Sequence, residues 1–233
     1  MPRQIKAVLF DLDEVLYDEQ QYFYAAFDKI AGFLSEQSSY TQTQIIDKLK
    51  VDLQKKSSMY PNLFNDLLSE FNLNPMLLKD VLTLFSTVKP DLSLYPGAEN
   101  LLQSLKVQKI KLGLLTNGNV ETQRNKVSLL KIEKYFDAVI YARALGVSCE
   151  KPNPEAFSAI LRALHTEPEE AIYIGDNPHT DFLGAKKLGV KTVRLQAGEF
   201  KDVHLGLEFE ADFTAQSIEE LDFIIMKELA GTN

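Results

Sequence analysis

From residue 96 onward the sequence alternates between short apolar runs and amphipathic stretches, and this alternation constrains the fold more than any other feature. Together with one early run, the apolar segments predict buried strands at residues 7–10, 111–116, 138–142, 171–175 and 191–195. Strands that alternate with helices need crossover connections, which give a mostly parallel sheet with helices on its faces. The sequence therefore predicts a doubly wound, Rossmann-like α/β core.

Residues 17–95 interrupt this pattern with a stretch that contains no convincing strand. Apolar residues recur there at helical spacing, as in Phe23, Phe27 and Ile30, and predict an α-helical bundle of about four helices. Because the insert follows the first strand, we expect it to emerge at the carboxyl end of that strand and to act as a lid. The predicted domains are a catalytic core of residues 1–16 and 96–233 and a helical cap domain of residues 17–95.

Composition argues against several classes of protein. The 233 residues carry a net charge of −8 at pH 7 and a pI near 5.0, so a basic face for nucleic acid or an anionic membrane is not expected. No apolar run approaches the ~20 residues that span a bilayer, and no secretory signal is recognised. The single cysteine, Cys149, fits a reducing compartment. We expect a cytoplasmic monomer or homodimer with no nucleic-acid or membrane partner.

Two carboxylates follow the first strand, Asp11 and Asp13. Residues i and i+2 of an extended chain face the same way, so both can aim into one pocket beyond the strand. Open α/β sheets bind their ligands at that place. Adjacent carboxylates raise one another's pKa unless a proton or a cation lies between them. The pair suits a metal site or acid–base chemistry, and the alternative is a solvated acidic turn.

Further polar residues lie at or near later strand ends: Thr116 with Asn117, Lys151, and Asp176 followed by Asp181. In a parallel sheet these ends share one edge, so we expect the residues to converge on Asp11. Each has a use if the substrate is a phosphate ester. One carboxylate can attack phosphorus, a second can transfer protons, and the lysine can stabilise the developing charge. A hard cation such as Mg²⁺ would relieve the repulsion between the carboxylates and the phosphate.

These residues resemble the four motifs of the haloacid dehalogenase (HAD) superfamily, in the family's order and at its usual spacings. The matching segments are Asp11-Leu12-Asp13-Glu14-Val15-Leu16, Leu115-Thr116-Asn117-Gly118, Lys151-Pro152 and Gly175-Asp176-Asn177-Pro178-His179-Thr180-Asp181. The resemblance covers essentially the whole core, and the helical insert is similar to the cap that the family inserts after its first motif. Glu14 departs from the pattern, since the family often has glycine, aspartate or asparagine there.

The resemblance implies a role for each matching residue. Asp11 is implied as the nucleophile and, through its carboxylate, as a ligand of Mg²⁺. Asp13 is implied as the general acid and base, with its backbone carbonyl as a second metal ligand. The remaining residues divide between substrate and metal: Thr116, Asn117 and Lys151 bind the phosphoryl group, Asp176 ligates the metal, and Asp181 acts in the metal's outer shell or supports Lys151.

We therefore expect a HAD-like phosphoric monoester hydrolase, a Mg²⁺-dependent phosphatase that acts on a small-molecule phosphate ester through an aspartyl-phosphate. A nucleotide or a sugar phosphate would be a suitable substrate. The alternatives are a phosphomutase or phosphotransferase of the same fold, a 2-haloacid dehalogenase, and a non-catalytic phosphate-binding module. The resemblance favours phosphate chemistry over dehalogenation, because the family's dehalogenases need neither the second acid, here Asp13, nor a metal.

Overall fold

The computed structural model describes residues 4–231 and contains a six-stranded sheet. Its strands are β1 (Ala7–Phe10), β2 (Lys111–Thr116), β3 (Ala138–Tyr141), β4 (Ala171–Gly175), β5 (Lys191–Leu195) and β6 (Phe213–Ala215). They are arranged in the order β3-β2-β1-β4-β5-β6, and every pair of neighbours is parallel. The predicted fold class, a doubly wound parallel α/β sheet, is confirmed.

Strand β1 occupies the middle of the sheet, where it pairs with β2 on one side and β4 on the other. All of its residues are buried, and so are those of β4. Burial on both faces explains why these strands appear in the sequence as continuous apolar runs. Strand β6 was missed because two of its three residues are exposed, which leaves no apolar run to recognise.

The helices of the chain, in order, are α1 (Gln20–Ser35), α2 (Gln42–Lys56), α3 (Leu63–Glu70), α4 (Leu78–Thr87), α5 (Ala98–Val107), α6 (Val120–Leu130), α7 (Pro154–Ala163), α8 (Phe182–Leu188) and α9 (Ile218–Leu229). Helices α7 and α8 contact each other, and Phe157 and Ile160 of α7 pack with Leu9 and Tyr173 of the sheet. Helices α5 and α9 contact each other and also contact strands β2, β5 and β6. These contacts fix the strands whose ends carry the predicted site.

The chain divides into two compact units. The sheet unit consists of the residues up to Glu19, of Ser93–Gln123, and of the residues from Leu130 onward, so it includes the first turn of α6. The helical unit consists of Gln20–Leu92 and Arg124–Leu129.

Helices α1 to α4 lie within residues 17–95, where helical spacing predicted about four helices. The core of this bundle is apolar and includes Phe27, Ile30, Leu49, Leu67 and Val81. Among residues 4–231, no helix has the length and apolar character that a membrane span requires.

Candidate active site

The ends of neighbouring strands bring the predicted acids together. Asp11 directly follows β1, and its backbone N–H donates to the Ile174 carbonyl of β4 at 2.9 Å. Asp176 directly follows β4, and Asp181 lies at the end of the same loop. One carboxylate oxygen from each of Asp11, Asp176 and Asp181 lies within 4.8 Å of the other two. Three acids that span most of the sequence therefore form one cluster.

Lys151 lies buried within this cluster. Its Nζ is 2.9 Å from Asp11 Oδ1 and 2.8 Å from Asp181 Oδ1, and it donates to the Tyr173 hydroxyl at 2.7 Å. Asn117 holds the lysine in place, because its side-chain amide bonds the backbone N–H and the backbone carbonyl of Lys151, each at 2.9 Å. Because the Asn117 side chain is engaged in this way, any contact of Asn117 with a substrate would have to come from its backbone.

Asp181 uses both carboxylate oxygens within the protein. Its Oδ1 accepts from Lys151, and its Oδ2 accepts the backbone N–H groups of Asp176 at 3.1 Å and Asn177 at 3.0 Å. Gly175 makes this packing possible, since a Cβ at that position would lie 2.3 Å from Asp181 Oδ2. Of the two roles predicted for Asp181, this geometry favours the support of Lys151.

The cluster holds more negative charge than its lysine balances. Burial raises the pKa of Asp11 to about 7, with further increases from Asp181 and Asp13 and an opposing effect of Lys151. Burial also raises the pKa of Asp176, and the charges of Asp181 and Asp11 add to the effect. Burial opposes the charge on Lys151, but Asp11 and Asp181 outweigh it and raise the pKa of the ammonium group.

Two buried oxygens in the cluster suit a metal ion. Among residues 4–231, Asp176 Oδ2 has no hydrogen-bond partner, and Asp11 Oδ1 has none beyond its ion pair with Lys151. Buried polar atoms are ordinarily hydrogen-bonded, so the unpaired oxygen of Asp176 in particular calls for an explanation. Mg²⁺ prefers this kind of ligand, and its charge would offset the excess of carboxylates. The residues present therefore fit a divalent cation.

The Asp13 carboxylate lies outside the acid cluster and is held by two residues that sequence reasoning missed. Asp13 Oδ1 accepts the Tyr17 hydroxyl at 2.7 Å, and Asp13 Oδ2 accepts from Gln123 Nε2 at 2.7 Å. The same nitrogen of Gln123 lies 2.6 Å from Thr116 Oγ1. No local pattern marks Gln123, because a glutamine on a helix is commonplace. Tyr17 stands out in the sequence only as part of an aromatic run near Asp11, which does not indicate a contact with Asp13.

Glu14, the departure from the family pattern, is buried and adopts a left-handed backbone conformation with φ of 57°. Its carboxylate accepts the Tyr95 hydroxyl at 2.9 Å and the Glu19 backbone N–H at 3.0 Å. Burial raises the pKa of Glu14 to about 7. Glu14 therefore ties the turn after Asp13 to two segments of the sheet unit, the one that ends at Glu19 and the one that begins at Ser93.

Comparison with known proteins agrees with this arrangement. Residues 8–195 match the family model of haloacid dehalogenase-like hydrolases. Glyceraldehyde 3-phosphate phosphatase from Methanopyrus kandleri is 31% identical over 205 residues, which cover 85% of this chain and 87% of that protein. A crystal structure of a HAD phosphatase from Thermococcus onnurineus superposes with a TM-score of 0.68 at 26% identity, covering 95% of this chain and 98% of the other.

A second solved structure, the HAD-hydrolase YfnB from Bacillus subtilis bound to magnesium, has the same fold, with a TM-score of 0.72 at 20% identity. That alignment covers 96% of this chain and 99% of YfnB. The match to the family model spans most of the chain and includes all four motif segments. The predicted family and enzyme class are thus confirmed: the chain belongs to the haloacid dehalogenase-like hydrolases, as a phosphoric monoester hydrolase of that family.

Proposed function

We propose that this chain is a Mg²⁺-dependent phosphatase that hydrolyses a small phosphomonoester through an aspartyl-phosphate on Asp11. The observation that carries the proposal is the buried lysine shared between two carboxylates, with Lys151 Nζ 2.9 Å from Asp11 and 2.8 Å from Asp181. Next to this pair, Asp176 presents a buried oxygen without a hydrogen-bond partner. Phosphoryl transfer requires a nucleophile, a fixed positive charge and an oxygen that can bind a metal ion, and this cluster offers all three.

The reaction has two steps. In the first, a carboxylate oxygen of Asp11 attacks phosphorus, the bond to the leaving oxygen breaks, and Asp13 gives that oxygen a proton. In the second, Asp13 takes a proton from water, the resulting hydroxide attacks the phosphorus of the aspartyl-phosphate, and inorganic phosphate leaves with Asp11 restored. Lys151 and the Thr116 hydroxyl hold the phosphoryl oxygens in both steps, and the backbone N–H of Asn117 is a third donor.

Asp11, Asp176 and the backbone carbonyl of Asp13 would hold Mg²⁺. When bound, the ion supplies positive charge that allows the nucleophile and the phosphate to approach each other. Asp181 remains with Lys151, because both of its carboxylate oxygens already accept hydrogen bonds. Of its two predicted roles, we therefore propose the second, which is to hold the lysine in position.

The relatives suggest where to begin the search for a substrate. Because one of them is a glyceraldehyde 3-phosphate phosphatase, three-carbon phosphates belong first in a substrate screen. Other sugar phosphates and nucleotides follow. We keep the prediction that the helical insert, residues 17–95, is a cap domain that selects the substrate. A cytoplasmic location and a monomeric or homodimeric state also remain predictions.

Phosphate release from p-nitrophenyl phosphate tests the proposal directly. The purified protein is expected to release phosphate with Mg²⁺ and to stop when the ion is chelated. Asp11→Asn removes the nucleophile and should lower activity by about 10³-fold or more, as loss of a nucleophile does elsewhere. Asp202→Asn, a change at an exposed carboxylate, is the matched control and should leave activity unchanged. Failure of the wild type to hydrolyse any phosphate ester, or full activity of Asp11→Asn, would overturn the proposal.

A further inference from the structure

We propose that Gln123 and Tyr17 are positioning residues for this reaction. Together they fix the carboxyl group of Asp13, and Gln123 also directs the hydroxyl of Thr116. The inference rests on the proposed function, because it assigns these residues a part in proton transfer to the leaving group. Neither residue belongs to the four motifs, and both lie with Asp13 in the sheet unit.

The start of helix α6 determines where Gln123 lies. Asn119 precedes the helix, and its Oδ1 accepts the backbone N–H groups of Glu121 at 3.0 Å and Thr122 at 3.1 Å. This cap sets the first turn of the helix. Side chains on a helix point back toward its N-terminus, so Gln123 reaches over the end of β2. It is buried there, with 3% of its surface exposed, beside Thr116 with 1%.

The hydrogen-bonding capacity of Gln123 gives it two partners at once. A side-chain amide nitrogen carries two hydrogens, and a carboxylate can only accept. Nε2 therefore donates one hydrogen to Asp13 Oδ2 at 2.7 Å and the other to Thr116 Oγ1 at 2.6 Å. The Thr116 hydroxyl becomes an acceptor toward Gln123 and keeps its own hydrogen for another group.

That hydrogen is available to a phosphate. Within the described part of the chain, the Thr116 hydroxyl donates only to the Asn117 carbonyl, over a long 3.3 Å. Hydrogen bonds to a charged oxygen are shorter and stronger than those to a neutral carbonyl, so a phosphoryl oxygen would take this donor. Gln123 thus hydrogen-bonds both Thr116, the proposed ligand of the phosphoryl group, and Asp13, the proposed general acid.

Tyr17 holds the other side of Asp13. Its side chain is fully buried, and its hydroxyl donates to Asp13 Oδ1 at 2.7 Å. Its backbone carbonyl accepts the Glu14 N–H at 3.1 Å, which closes the turn that carries Asp13. Two buried donors on opposite oxygens leave the carboxyl group little rotational freedom. Precise support of this kind is what a catalytic group needs in order to act at full efficiency.

A comparison of two leaving groups separates positioning of the acid from a general defect. Nitrophenolate departs without a proton, whereas an alkoxide needs one, so Asp13 matters most for an alkyl phosphate. Since kcat/KM covers the steps up to departure of the leaving group, it is measured on p-nitrophenyl phosphate and on the best alkyl phosphate in the screen. Tyr17→Phe should lower kcat/KM about tenfold on the alkyl ester, part of the ~10²–10⁴-fold that general acids contribute, and far less on the nitrophenyl ester.

Gln123→Met keeps the length of the side chain but removes the two amide N–H groups that donate to Asp13 and Thr116. It should lower kcat/KM on both esters, because the Thr116 hydroxyl loses its orientation. It should lower kcat/KM further on the alkyl ester, because the Asp13 carboxyl group loses its position as well. Tyr135→Phe is the matched control, because it also deletes a buried phenol hydroxyl that donates to a carboxylate, here that of Glu99. The ratio of the two kcat/KM values should stay at the wild-type level in this variant.

A double-mutant cycle supplies the second readout. Tyr17→Phe made in an Asp13→Asn background should cause no further loss, because the group that Tyr17 positions has already been disabled. A merely structural role would cost the same in both backgrounds. An unchanged ratio in Tyr17→Phe and Gln123→Met, with an active wild type, would overturn the positioning role alone. An inactive wild type would overturn the proposed function along with it.

Discussion

At the scale of single residues, Lys151 is the side chain on which the charge balance of the site depends most. It is almost completely buried and lies within 3 Å of two carboxylates, those of Asp11 and Asp181. Replacing both partners of a buried ion pair can leave the free energy of unfolding nearly unchanged, but removing one partner leaves uncompensated charge in the interior. We therefore expect the lysine to contribute to folding in addition to its proposed role in binding a phosphoryl group.

Lys151→Met should destabilise the protein by about 3–5 kcal/mol near pH 8, the usual cost of stranding a buried charge. The loss should be smaller near pH 5, because Asp11, whose pKa burial already raises to about 7, then takes up a proton. Urea unfolding at the two pH values measures both effects. Lys6→Met, which breaks an ion pair with Glu170 at an exposed lysine, is the control and should cost only ~0–1 kcal/mol. An equal loss for Lys151→Met at both pH values would contradict the explanation.

The sequence predicts the residues of the site that lie next to strand ends, and it misses those that act through them. Asp11, Thr116 and Asp176 each end or follow an apolar run, and a parallel sheet gathers such ends at one edge. Gln123 and Tyr173 carry no comparable signal, since their importance depends on a partner distant in sequence. Their hydrogen bonds follow from three-dimensional packing, which no local pattern encodes.

At the scale of elements, the loop between β4 and α8 organises the acid cluster. It starts at Gly175, the last residue of β4, and returns to Asp181, the residue before α8. Backbone N–H groups at the start of the loop bond the side chain at its end. The loop therefore closes around the Asp181 carboxylate and leaves no space for a side chain at position 175.

Gly175→Ala should abolish most phosphatase activity, because its Cβ would lie 2.3 Å from an Asp181 oxygen that Asp176 and Asn177 already hold. Gly113→Ala is the matched control on β2, where the nearest atoms, at 2.8 Å and 2.9 Å, are ends of the Ile160 and Leu9 side chains. Both changes should lower stability, by about 1–3 kcal/mol, as overpacking does. Activity assays and thermal unfolding measure the two effects. Equal activity losses in the two variants, measured where both are folded, would refute the role of the loop.

Prediction of the elements succeeds where burial is continuous and fails at the edge of the sheet. Strands β1 and β4 are buried throughout, and their apolar runs locate them in the sequence. Strand β6 pairs only with β5 and exposes Phe213 and Thr214, so neither an apolar run nor a regular alternation marks it. The same limit applies to any short edge strand.

At the scale of the whole molecule, the buried acids make stability depend on pH. Burial raises the pKa of Asp11 to about 7 and also raises that of Asp176. Between the unfolded pKa of about 4 and the raised values, the folded protein holds protons that the unfolded chain has released. Without metal, the free energy of unfolding should therefore fall as the pH rises through this window.

Mg²⁺ should reverse this trend, because it binds the deprotonated carboxylates and stabilises only the folded state. With chelator, we expect the melting temperature to be lower near pH 8 than near pH 5.5 by at least about 2–4 °C, the shift that 1 kcal/mol gives in a chain of this size. With Mg²⁺ present, the gain in melting temperature should grow with pH, and Asp176→Asn should remove most of it. A Mg²⁺ effect that is independent of pH would contradict this linkage.

The central position of β1 in the sheet has a consequence for folding during synthesis of the chain. Strand β1, which leads into Asp11, is synthesised before the other strands of the sheet, yet it pairs with residues 111–114 and 171–174, which leave the ribosome much later. A chain interrupted before β4 therefore has an unpaired strand on one side and neither Asp176 nor Asp181. Distant pairings of this kind slow folding and leave apolar strands open to aggregation in the meantime. A growing chain therefore contains Asp11 long before it contains Asp176 and Asp181, the other two acids of the cluster.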